Sequence, residues 1–139
     1  MKIADLVKQL SAALNLENSA VIKIAEFEKE LRKYDLYLHD MEAGIILFHI
    51  ISKLISDQRE TTIDFSGISI VPMDIINECI MRLVYENGKM FEKYVTMINL
   101  TKSDKRLISS YIKYGMFTRF NITYDDSKIK EEIREANAA

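Results

Sequence analysis

The chain has 139 residues, enough for one domain with a real core and too few for two. Hydrophobic residues make up 48% and charged residues 29%, and the net charge is −2, which gives no bulk electrostatic case for binding nucleic acid or an anionic membrane. The one cysteine, Cys79, excludes a disulfide framework within the chain. The first residues lack the apolar run of a signal peptide, and the longest apolar run, Ala43 to Ile51, is far too short to span a bilayer, so the expectation is a cytoplasmic protein.

In chain order, Ile3, Leu6, Val7, Leu10, Ala13 and Leu14 recur at helical spacing and predict a helix over residues 2 to 14, followed by a polar break from Asn15 to Ser19. Ala20 to Phe27 alternates in polarity and reads as a strand. The charged run from Glu28 to Lys33 reads as a turn or hairpin tip. Tyr34 to Leu38 reads as a second short strand, with Tyr34, Leu36 and Leu38 on one face. Residues 40 to 57 are apolar almost all round, which predicts a buried helix with Asp40 as its N-cap, ending over Ser56 to Arg59.

Residues 60 to 84 form the unit on which the fold reading rests. Thr61, Thr62, Ile63 and Phe65 favour an extended backbone, Gly67 allows a bend, and Pro72 suits a helix start, with Asp74 near the positive end of the dipole. Ile75, Ile76, Cys79, Ile80, Leu83 and Val84 then mark one helical face, with Asn77, Glu78, Arg82 and Glu86 mostly off it. Asn87-Gly88 ends that helix. Lys89 to Lys93 connects onward, Tyr94 to Asn99 reads as a strand, and Ser103 reads as the N-cap of a helix running to about Tyr114 and closed by Gly115. Phe117 to Tyr124 reads as a strand. Residues 125 to 139 read as a charged tail or solvated, fraying helix. No repeat or flexible linker divides the chain. Strands alternating with helices imply one α/β domain over residues 1–139, with a mixed sheet of about four to five strands and a helix leading into it.

Asp64-Phe-Ser-Gly-Ile-Ser69, the turn and helix after it, the Asn77-Glu78 pair, Gly88 with Phe91, and the strand ending at Asn99 together resemble the STAS domain. This is the fold of bacterial anti-sigma-factor antagonists, and the nearest likeness is to a bacterial STAS-like branch of unknown function. The resemblance runs from about Leu36 to Ile122. It implies a regulatory protein-binding module without enzymatic activity or cofactor, whose partner would be an ATPase of the histidine-kinase type or another regulator. Its contact surface would be Ser69, Val71, Pro72, Met73, Asp74 and Ile75, with Glu78 and Arg82 one turn on. In the family a kinase phosphorylates a Ser at the start of this helix and breaks the complex. The matching positions here are Pro72, Met73 and Asp74, none of them Ser or Thr. Either phosphorylation plays no part, or Asp74 supplies a fixed negative charge.

Other readings are blander. His39 and His49 lie apart with no Cys or His cluster around them, and Cys79 reads as a buried structural thiol. Lys102, Lys105, Arg106, Lys113 and Arg119 alternate with Asp104 and aromatics, which suits a solvated helix face better than a nucleic-acid surface. No clustered acid, base or metal set points to an enzyme. An all-helical adaptor or oligomeric interaction protein is the alternative, in which the strand readings fail. Whether the first helix packs on the sheet or makes a homodimer stays open at this level.

Overall fold

The computed structural model of the chain describes residues 1–114 and 126–138. Three strands, β1 (Val21–Lys23), β2 (Thr61–Asp64) and β3 (Val95–Ile98), form an all-parallel sheet in the order β1-β2-β3. Ile22 pairs with Ile63 and Ile63 with Met97 across it. Each crossover is helical: α2 (Ile24–Arg32) and α3 (Met41–Ser56) join β1 to β2. A helical stretch from 73 to 87 and α6 (Lys89–Tyr94) join β2 to β3. The fold is therefore α/β, which rules out the all-helical alternative. Among the described residues the sheet is parallel and three-stranded rather than mixed and four- to five-stranded.

One expected strand is cut short and another is absent, for identifiable reasons. The extended segment at Ala20 stops at Lys23, and Ile24, Phe27 and Leu31, all fully buried, lie on one face of α2 at helical spacing. The alternation through Ile22 and Ile24 is shared by a strand and by a strand running into a helix. Only the continuation to Leu31 separates them. The charged run Glu28 to Lys33 is thus mostly the outer face and end of α2 and not a hairpin tip. Tyr34 to Leu38 forms turns. Asp35 takes a left-handed φ of 59°, while Leu36 N–H reaches back to the Leu31 carbonyl at 3.2 Å and Asp35 N–H to that of Arg32 at 3.1 Å. This is a Schellman closure of α2. The expected strand at 117 to 124 and the stop at Gly115 lie outside the described residues.

Strands added in one direction through crossovers of one hand place their helices on one face of the sheet. The burial pattern agrees. Ile22, Thr61, Ile63 and Val95 are buried on the inner face, while Val21, Lys23, Thr96 and Ile98 on the outer face are exposed. α3 lies at the centre of the core, every residue from Ala43 to Ile51 buried, as its all-round apolar sequence predicts. Asp40 does occupy the N-cap position, but its carboxylate accepts from the Tyr37 N–H at 2.7 Å and not from the helix's own first turn. α1 (Ile3–Ala13) packs on α3 through Leu6, Val7 and Leu10.

The final helix α8 (Asp126–Ala138) is not merely a solvated tail. Ile129 is buried and the helix rests on α1, with Lys2 3.7 Å from Glu132 and Lys130 3.4 Å from Glu86. α7 (Lys102–Tyr114) starts at Thr101 rather than Ser103, since the Thr101 hydroxyl takes the Asp104 N–H at 3.2 Å.

Candidate functional site

The site is built at the carboxyl ends of β2 and β3, where open parallel sheets commonly place their binding surfaces. Asp64 is the last residue of β2 and Asn99 follows β3. Asp64 Oδ1 accepts from the Ser66 N–H at 2.9 Å, the Ser66 hydroxyl at 2.7 Å and the Asn99 Nδ2 at 2.9 Å. Asn99 Nδ2 also reaches Ser66 Oγ at 2.9 Å, and the Phe65 N–H reaches the Ile98 carbonyl at 3.0 Å. The Asn99 amide, then the Ser66 hydroxyl and N–H, hold the Asp64 carboxyl down at about 2, because each donates to the ionised form. Asn99 itself sits at a φ of 62°, a left-handed conformation Asn tolerates better than most residues.

From this anchor the chain turns. The Ile68 N–H bonds the Phe65 carbonyl at 3.0 Å, with Gly67 at a φ of 81° that a side chain would resist. A second anchor holds the far end of the loop. Asp104, buried in the first turn of α7, accepts the Val71 N–H on Oδ2 at 2.9 Å. Pro72 then leads into α4 (Met73–Ile75). Between the two anchors the segment projects Ser69 and Ile70 into solvent, and Met73 follows one residue past Pro72. Ile70 is 74% exposed and Met73 is 44% exposed.

The expected contact residues divide sharply. Ser69 and Met73 are exposed, and Pro72 and Asp74 are half-buried. Val71, Ile75, Glu78 and Arg82 are buried and cannot form that surface. Val71 and Ile75 point into the core as ordinary apolar residues do. Glu78 and Arg82 are inside for a less ordinary reason. Residues Ile76–Met81 form a π-helical segment, followed by α5 (Arg82–Asn87). From Glu78 the π segment and the start of α5 are covered on every side, so no face of a helical wheel is left for solvent there. Ile76 and every residue from Glu78 to Leu83 is buried. The Arg82 guanidinium carbon stands 3.9 Å above the centre of the Phe48 ring of α3, a cation–π contact. Gly44 of α3 makes the close approach possible, since a Cβ there would lie 2.5 Å from the Asp74 carbonyl oxygen and 2.9 Å from Glu78 Cβ.

Sequence reading missed Ile70, the most exposed apolar residue of the loop. The signal was present in the run Ile68-Ser-Ile-Val71, an apolar stretch sitting between a Gly turn and a Pro. It also missed Asp104 as an anchor, which no local pattern reveals.

Cys79 is fully buried in the π segment, and burial pushes its thiol strongly up while the nearby Arg82 charge offsets only part of that. It is a packing residue, as expected. His39 is exposed and stacks on Tyr37, with ring centres 5.6 Å apart, whereas His49 is buried edge-on to Phe48. Among the described residues no three His, Cys, Asp or Glu side chains gather to hold a metal ion, and no helix is long and apolar enough to cross a membrane. Comparison of the chain with protein-family models, curated proteins and solved structures finds no match.

Proposed function

We propose that this chain is a regulatory protein-binding module of the anti-sigma-factor-antagonist type, with a STAS-like fold, acting in the cytoplasm without catalysis of its own. Its contact edge is Ser69, Ile70, Pro72, Met73 and Asp74, and its partner is an ATPase of the histidine-kinase type or another regulator. The observation that carries this reading is the pair Ile70 and Met73: two large apolar side chains, 74% and 44% exposed, the first on a loop pinned at both ends and the second at the start of the helix that follows it. Solvent exposure of such side chains on a pre-ordered segment favours binding, because little conformational freedom remains to be lost on contact. A flexible loop would fold its apolar residues back. This one is held away from the core by Asp64, Asn99 and Asp104.

The same reading accounts for the missing phosphorylation site. Where the family places its Ser, this chain has Pro72, Met73 and Asp74. Asp74 gives the edge a permanent negative charge, so the contact is regulated by the partner's state or by abundance rather than by a phosphate on this chain.

The test is affinity capture from the native host with the wild-type chain and with Ile70→Glu, Met73→Arg and Asp74→Arg. The expected outcome is one ATPase-type or regulatory partner retained by the wild type and lost by the first two variants, with Asp74→Arg weakening it. Circular dichroism checks that each variant keeps the wild-type fold. If folded Ile70→Glu and Met73→Arg both keep every partner of the wild type, the surface is wrong.

A further inference from the structure

α1 and α3, which meet through Leu6, Val7 and Leu10, also line a common cavity. The cavity is about 410 Å³ and is capped by Ile133 of α8 and by Leu16. Its origin is legible in α1, which presents small side chains there, Ala4, Ser11 and Ala12, against Ile50 and Leu54 of α3. The volume falls in the roughly 300–1,000 Å³ range of small-molecule sites.

The mouth is charged in an uneven way. Lys8, Lys53 and Arg59 border it with Glu17 and Asp57. Lys53 is engaged with Asp57 at 3.1 Å. Arg59 is half-buried and donates one Nη1–H to the Leu16 carbonyl, which fixes the guanidinium at the cavity edge with other N–H donors to spare. An apolar floor with a fixed guanidinium at one rim suits a molecule that is apolar at one end and carries a planar anion at the other.

We propose that this cavity binds a small apolar carboxylate, its hydrocarbon part against Ala4, Ile50 and Leu54 and its carboxylate on Arg59. The space is finite, so the gain from lengthening the chain ends once the hydrocarbon part fills it. Each methylene buried at about 0.8 kcal/mol corresponds to a roughly fourfold gain in affinity.

Calorimetric titration of the full chain with straight-chain carboxylates of increasing length, below their self-association limits, tests this. Alcohols and alkylamines of matched length serve as controls. Affinity is expected to rise about fourfold per methylene and to level off once the chain fills the cavity, with the alcohols weaker and the amines weaker still. Ala12→Leu, at an exposed position of α1, fills the cavity mouth without touching the core and is expected to weaken binding at least ~10-fold, and Arg59→Gln to abolish the preference for carboxylate over alcohol. Absence of binding at every length, amines binding as well as carboxylates, or full affinity retained in folded Ala12→Leu would each overturn the proposal.

Discussion

The Asp104 carboxylate accepts the backbone N–H of Val71 at 2.9 Å in a buried setting, so a residue at the start of α7 holds the loop that follows β2. Neither partner advertises this in sequence. Val71 is an apolar core residue, and Asp104 has the look of an ordinary acidic residue in a helix's first turn. Replacing Asp104 by Ala leaves the buried Val71 N–H without its acceptor, a cost of about 1–3 kcal/mol. Chemical denaturation should show that loss, and hydrogen exchange at Val71 should accelerate with it. Asp104→Asn keeps an acceptor oxygen and should lose markedly less.

Gly44 is the tightest point of the fold. Its missing side chain admits the Asp74 carbonyl, and both that carbonyl and Glu78 Cβ would collide with a Cβ. Because one of the obstacles is backbone, neither side can give cheaply. Gly44→Ala should therefore destabilise by about 1–3 kcal/mol or more, although Ala is the better helix former by about 1 kcal/mol. A denaturation midpoint equal to or above that of the wild type would contradict the close approach.

Asp64 gives the loop a pH dependence with a definite sign. Its carboxyl is lowered from an ordinary 3.8 to about 2, because the Asn99 and Ser66 donors bind the ionised form more strongly. A depressed folded value means the stabilisation is present in full above the ordinary value and is lost as pH falls from about 4 towards 2. In the wild type, thermal stability should fall across that window more steeply than in Asp64→Asn, which has nothing to protonate. At neutral pH, where Asp64 is fully ionised, Asp64→Asn should be the less stable of the two. Parallel acid titrations of the two proteins followed by circular dichroism would settle it.

Gln58 closes α3 in the same way that Asp35 closes α2. Its φ is 56°, with Arg59 N–H on the Leu54 carbonyl at 3.0 Å and Gln58 N–H on that of Ile55 at 2.9 Å. A left-handed conformation costs a residue with a Cβ roughly 1–2 kcal/mol, and glycine escapes that penalty while giving up about 0.5–1 kcal/mol more conformational freedom on folding. Gln58→Gly should raise the melting temperature by a few degrees, a net gain of up to about 1 kcal/mol. No gain would mean that the side chain contributes something local that glycine removes.

What the sequence determined by itself was the set of elements carried by short-range physics. The buried α3 follows from an all-round apolar stretch. The extended Thr61–Asp64, the bend at Gly67 and the helix after Pro72 follow from β-branching, a residue free of Cβ and a fixed φ. From these the α/β class was readable, whereas the contact surface from Ser69 to Ile75 came from the STAS resemblance, and the structure buries Val71 and Ile75 of it. What only the tertiary structure decided was everything that depends on a neighbour. The end of β1 at Lys23 is one case, since alternation over a few residues fits two backbones. The burial of Glu78 and Arg82 is another, because neighbouring elements cover every residue from Glu78 to Leu83 and Phe48 receives the Arg82 charge. The anchoring of Val71 by Asp104 is a third. Such contacts join residues dozens of positions apart, and periodicity, which reports only on residues a turn or a pleat away, carries no record of them.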